Sequence, residues 1–132
     1  PNPTKIHGSI QHYKDLPTQK TSHGSITKRQ FLEAFAVPRV TGFSIATIHP
    51  GESVHAHDHH NMHEFFYVLE GEATFIMCNK QDDSKVTRYD AKPGTFWHVE
   101  PHCLHGIDVP VNTTSGDLKI FYGGVTDANY EP

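Results

Sequence analysis

Cysteine is scarce in this chain. Cys78 and Cys103 are the only two, too few for a disulfide framework, and they read as small apolar residues of an interior. Arginine is scarce as well. Arg29, Arg39 and Arg88 are the only three, and none falls in a motif, so no arginine clamp for a substrate carboxylate can be assigned. No apolar run approaches the ~20 residues of a membrane-spanning helix, so no membrane role is expected. Lys/Arg-rich stretches are missing too, and the net charge is −4, which gives no reason to expect nucleic acid. No signal peptide is visible, which favours a cytoplasmic location. Nor does any segment keep a long 3.6-residue apolar period, which argues against a helical bundle.

What remains is short β-like runs. With 132 residues, 36% of them hydrophobic and 20% charged, the chain suits one globular domain. Residues 1–25 are polar and carry Pro1, Pro3, Pro17, Gly8 and Gly24; they read as an N-terminal arm, with a single domain over 26–132. Lys28–Ala36 is the best helix candidate, yet its first half reads equally well as a strand, and Pro38 ends either. Strand-like runs follow at Gly42–Ile48, Glu64–Leu69, Ala73–Cys78, Lys85–Tyr89, Gly94–Val99, Gly106–Val109 and Leu118–Tyr122. Turn signals separate them, among them His49-Pro50-Gly51, Glu70-Gly71 and Lys92-Pro93-Gly94. Many short strands at regular spacing predict an all-β sandwich or jelly roll.

Histidine is the residue in excess. There are 12, and most lie between His55 and His105. His57 and His59 are two apart, so on a strand they share a face. Glu64 stands at an odd offset from His59, so Asp58–Met62 must bend and return the chain. His105 comes from a separate segment after Pro93-Gly94. Three imidazoles and one carboxylate suit iron, manganese, nickel, copper or zinc. The expectation is one divalent transition metal ion per chain, held by His57, His59, Glu64 and His105. Four ligands close a tetrahedral zinc site; on a six-coordinate ion they leave two positions open.

These residues resemble the cupin superfamily. Its first motif, G-x5-H-x-H-x3,4-E-x6-G, is matched at every fixed position by Gly51, His57, His59, Glu64 and Gly71. Its second, G-x5-P-x-G-x2-H-x3-N, is matched at Gly94 and His105. Pro101 is shifted by one place, His102 stands where the family glycine falls, and the final Asn is absent. The resemblance covers about Phe43 to Tyr122. It implies a jelly-roll barrel (a double-stranded β-helix) of short antiparallel strands, often dimeric, with a metal bound inside near one end. Family members include dioxygenases, decarboxylases, isomerases, lyases, binding proteins and storage proteins, so fold and metal do not fix the reaction.

Within that frame the expected function is a metal-dependent enzyme acting on a small molecule, most consistent with an oxygenase such as a dioxygenase. The alternatives are an isomerase or lyase, a non-catalytic protein that anchors a ligand on its metal, or a structural role. His98 and His102 are the candidates for moving protons, because histidine titrates near neutrality. His98 reads equally as a satisfied interior histidine. His55 shares the parity of His57 and His59, while His60 and His63 fall in or beside the bend and are expected to be exposed. Phe66 stands where some cupin lyases carry a tyrosine base, which argues against that mechanism. Tyr122, Phe96 and Trp97 read as core. Finally, Phe65, Tyr67 and Leu69 would form an apolar outer face on a barrel strand, and a homodimer is the expected cover.

Overall fold

The computed structural model describes residues 8–79 and 82–127. The first seven residues of the expected arm and the last five of the expected domain lie outside the described residues. Among the described residues ten strands are formed: β1 (Gln19–Lys20), β2 (Thr27–Leu32), β3 (Val40–Ile48), β4 (Ser53–His57), β5 (Met62–Glu70), β6 (Ala73–Asn79), β7 (Asp82–Ala91), β8 (Phe96–Val99), β9 (His105–Asp108) and β10 (Leu118–Thr126). Among the described residues the only helical piece is a single 3₁₀ turn at Tyr13–Asp15. The fold is therefore all-β, as the turn spacing predicts. No helix among the described residues is long and apolar enough to cross a membrane.

Two antiparallel sheets face each other in a jelly roll. One has the order β1-β2-β3-β10-β5-β8 and the other β4-β9-β6-β7. The ambiguous segment from Lys28 is a strand, because β2 pairs with β3 from Thr27↔Thr47 to Gln30↔Ser44. Sheet pairing overrides its moderate helix propensity. β1, which lies in the expected arm, pairs with β2 through Gln19↔Lys28.

Strand alternation builds the core. On β3, Ser44, Ala46 and Ile48 are buried while Phe43, Ile45 and Thr47 are only partly so. On β10, Leu118 and Ile120 point inward. Val68, Leu118 and Ile120 are at most 1% exposed; Phe75 and Ile107 are buried on the other sheet, and Trp97, on β8 of the first, stacks on Phe75. Each such side chain contributes roughly 1.5–3 kcal/mol when fully buried. Gly71 turns β5 into β6 at φ +84°, and a Cβ there would lie 2.5 Å from the Asp117 carbonyl oxygen. Only glycine fits this turn.

β5 is apolar on both faces, and the two faces have different fates. Phe66 and Val68 enter the core. On the outside, Phe65 stacks on Phe96 and on His98, whereas Tyr67 is 41% and Leu69 40% exposed. The chain's own 3₁₀ turn covers a neighbouring region instead: Arg29 and Lys119 sit over the Tyr13 ring. We propose that the uncovered face is where two copies meet. Light scattering should then give twice the 14.8 kDa of one chain at micromolar concentration, and a Tyr67→Glu, Leu69→Glu double variant should give one chain's mass. A monomeric native protein removes this assignment.

Candidate metal centre

His57, the last residue of β4, reaches the interior through a bulge. β4 and β9 pair Val54 with Ile107 and His57 with His105, so β4 spends one residue more than its partner between the two pairs. The extra residue leaves His55 and Ala56 both exposed and turns His57 back inside. Gly106 makes this possible. A Cβ on it would lie 2.8 Å from the Val54 carbonyl oxygen and 3.2 Å from the Ala56 backbone.

His59 arrives differently from the expectation. β4 ends at His57, so His59 stands on the loop between β4 and β5 rather than on a shared strand face. That loop is the expected bend, and it returns the chain into β5, which places Glu64. The loop is pinned by the backbone N–H of His102, which donates to the His59 carbonyl oxygen at 2.6 Å.

The four side chains converge. Their nitrogen and oxygen ligand atoms all lie within 4.8 Å of one another. Glu64 Oε1 is 2.9 Å from His59 Nε2 and 2.9 Å from His105 Nε2. The His57 ring is 4.6 Å from that of His105 and 4.9 Å from that of His59. The Nδ1 atoms are turned away: His57 Nδ1–H donates to the His55 carbonyl and His105 Nδ1–H to the Cys103 carbonyl, both at 2.8 Å. Carbonyl oxygens only accept, so these bonds fix the Nδ1–H tautomer and direct Nε2 at the cluster, the orientation that metal-binding histidines take.

This donor set fits a metal ion. A bare Nε2 lone pair facing a carboxylate oxygen at 2.9 Å is repulsive, so a positive charge is needed between them. Protons could supply it, but charged imidazoles this close repel one another. One divalent ion satisfies all four groups at once. The field is already arranged for it. Burial pushes the Glu64 carboxyl up, but with His105 and His59 protonated their hydrogen bonds to it outweigh this and hold it at about 2. The hydrogen bond to Glu64 raises His59.

The cluster lines one end of a cavity of about 390 Å³. Its walls are mostly apolar, with Ile26, Ile48, Val54, Phe66 and Ile107 among them. Among its polar residues, His23 and Lys28 escaped the sequence reading and Tyr122 was assigned to core. His23, from the expected arm, sits with its ring 5.3 Å from that of His57, and burial lowers its pKa. Tyr122 lines the cavity while stacking on Phe66; burial raises its pKa, which keeps the phenol protonated. Lys28 lines the cavity from β2. The only signal for His23 is Ile26 three residues later, whose burial fixes the segment against the barrel.

His98 and His102, the candidates for moving protons, do not line this cavity. Trp97 and Val99 are the buried residues of β8, so alternation puts His98 outside, where it bonds to His63 Nδ1 at 2.8 Å. The His102 side chain is exposed and stacks on His60. Its φ of +66° accounts for the glycine that cupins carry at this place. His102 acts on the site through its backbone. Cys103 is an inert thiol: burial, then its hydrogen bond with Cys78, pushes it up to about 11.

With this geometry in place, the comparisons with known proteins are coherent. The cupin domain family matches residues 44–122, and the chain belongs to that family. Its fold is similar to that of a predicted oxalate decarboxylase from Thermotoga maritima, at TM-score 0.75 and 20% identity over 89% of this chain and 99% of that one. KdgF from a Halomonas species gives TM-score 0.69 and 14% identity over 89% and 94%. Hydroxypropylphosphonic acid epoxidase from S. wedmorenis gives 0.67 and 18% over 88% and 58%, so this chain spans little more than half of it. At these identities the likeness speaks for the fold. No curated protein sequence matches.

The site predicts its own mutational pattern. Untagged protein should carry one divalent ion per chain by elemental analysis. His57→Ala and His105→Ala should each lose most of it, while His102→Gly, which removes a side chain but keeps the backbone donor, should retain it. Full retention in both alanine variants contradicts the ligand set.

Proposed function

We propose that this protein is a metal-dependent enzyme of the oxygenase type that acts on a small molecule in the cavity described above. The observation that carries the reading is the convergence of His57, His59, Glu64 and His105 at one end of a mostly apolar cavity. A surface metal site would lack the cavity, and a purely structural one would be closed off from it. A divalent transition ion such as iron, held by His57, His59, Glu64 and His105, would supply Lewis acidity and redox capacity there. Four protein donors leave two positions on a six-coordinate ion, which suits chemistry with dioxygen.

The chain's own residues divide the remaining work. The carbonyls of His55 and Cys103 hold the His57 and His105 rings in register. The apolar walls exclude water and fix the body of the substrate, which strengthens polar contacts inside. Tyr122 offers a protonated hydroxyl in the same cavity. Phe66 has no hydroxyl, and it packs between Tyr122 and Trp97, which speaks against a proton-abstracting lyase or isomerase built on that position.

Oxygen uptake by iron-loaded protein tests the reading, with a panel of small carboxylic acids, phenols and thiols as substrates. Uptake should require both iron and one class of substrate, and should fall by at least about 100-fold in Glu64→Ala, the scale of losing a group that holds the catalytic ion. Metal-dependent binding of a ligand that is recovered unchanged by mass spectrometry, with no uptake on any compound, replaces the enzyme by a metal-anchored binding protein.

A further inference from the structure

The cavity contains a cation with no counter-charge. Lys28 lies on β2 opposite Ala46, and Ala46 lies opposite Ile120, itself opposite Val68. Directly paired residues of antiparallel strands share a face. Ala46, Ile120 and Val68 are core residues, so this register turns Lys28 inward. Its neighbours confirm the alternation: Arg29 reaches outward to the Tyr13 carbonyl, and Phe31 packs on Phe121 on the outer face. Lys28 is half-buried and lines the cavity; exposed Lys20, opposite Thr27 on β1, is also among the lining residues.

Neither lysine meets a carboxylate among the described residues. The ion pairs found there involve Glu64, Glu70, Asp58, Asp108, Asp117 and Asp127, none with Lys28 or Lys20. Glu64 is the only acidic residue lining the cavity, and it is engaged by His59 and His105. An ammonium group in the wall of a mostly apolar cavity, with no acidic partner, leaves a positive charge there that favours an anion. A site that holds one in place is built for an anion supplied from outside.

The placement also sets where that anion lies. Lys28 belongs to the row of Val68, and Glu64 is four residues away on the same strand, roughly 13 Å of backbone at the usual rise. The lysine and the metal cluster are therefore separated along the cavity, with Tyr122 and Phe66, which line it, in the strand row between them.

We infer that the substrate is a small organic anion with an apolar body, its acidic group held by Lys28 and its opposite end directed at the cluster of His57, His59, Glu64 and His105. This rests on the metal-dependent reading of the same cavity. Lys28 fills the role for which no arginine is available, from a strand outside both sequence motifs.

Calorimetry on zinc-loaded protein tests it, since zinc binds without turnover. The probes are 4-hydroxybenzoate and its uncharged isostere 4-hydroxybenzamide. The native protein should prefer the acid by about ten-fold or more, the scale of a charge-assisted hydrogen bond. Lys28→Met should erase that preference and leave amide affinity and zinc content unchanged, and Lys28→Arg should keep most of it. Lys28→Gln repeats the test with a polar stem if the methionine variant does not fold. Equal binding of acid and amide by native protein, no binding of either, or an intact preference in zinc-loaded Lys28→Met and Lys28→Gln overturns the assignment. Zinc retained by His105→Ala contradicts the metal reading instead, in a separate sample.

Discussion

Glu64 Oε1 faces Nε2 of His59 and Nε2 of His105 at 2.9 Å each, and this contact organises the functional half of the molecule. It is an electrostatic demand for positive charge. The carbonyls of His55 and Cys103 fix the protons of His57 and His105 on Nδ1, so the cluster presents nitrogen lone pairs and one carboxylate to a single point. Such an arrangement is costly without a cation and favourable with one. The surrounding fold is best understood as the means of holding these four groups against their mutual repulsion.

Three parts of the chain carry that constraint. The bulge in β4 turns His57 inward, and Gly106 leaves room for it. The turn before β9 holds His102 at positive φ, which frees its N–H for the His59 carbonyl. β5 brings Glu64 in at its start while Phe66 and Val68, further along, anchor the strand in the core. The sheet edge formed by β1 and β2 adds His23 and Lys28 to the cavity wall. The side chain of Ser25, in the segment between those strands, is hydrogen-bonded to Glu52, which ties that edge to the start of the first motif.

Much of this was legible in the residues. Period-two alternation and Pro/Gly turns located β3 and β5 to β10, because each of these strands has one face in a shared core. His57, His59 and Glu64 stood out as candidate ligands because five fixed positions of one motif agree, and His105 because the second motif keeps its separation from Gly94; the structure brings the four together. What escaped depended on long-range packing. His98 sits among Phe96, Trp97 and Val99, and apolar neighbours suggested burial, but alternation on a strand with one covered face sends it outside. Parity also misjudged His55 and His59: a bulge shifts the first, and the strand ends before the second. His23 and Lys28 carry no local mark, since polar residues near an N-terminus look like solvated lead-in until the sheet edge folds them over the cavity.

X-ray absorption at the K edge of the metal bound by untagged protein tests the central claim most directly. The account predicts a first shell of nitrogen and oxygen only, with the outer-ring scattering of three imidazoles and one carboxylate oxygen. That pattern should lose one imidazole in His105→Ala protein reloaded with the same ion. A shell containing sulfur, or one made of oxygen alone, would contradict it.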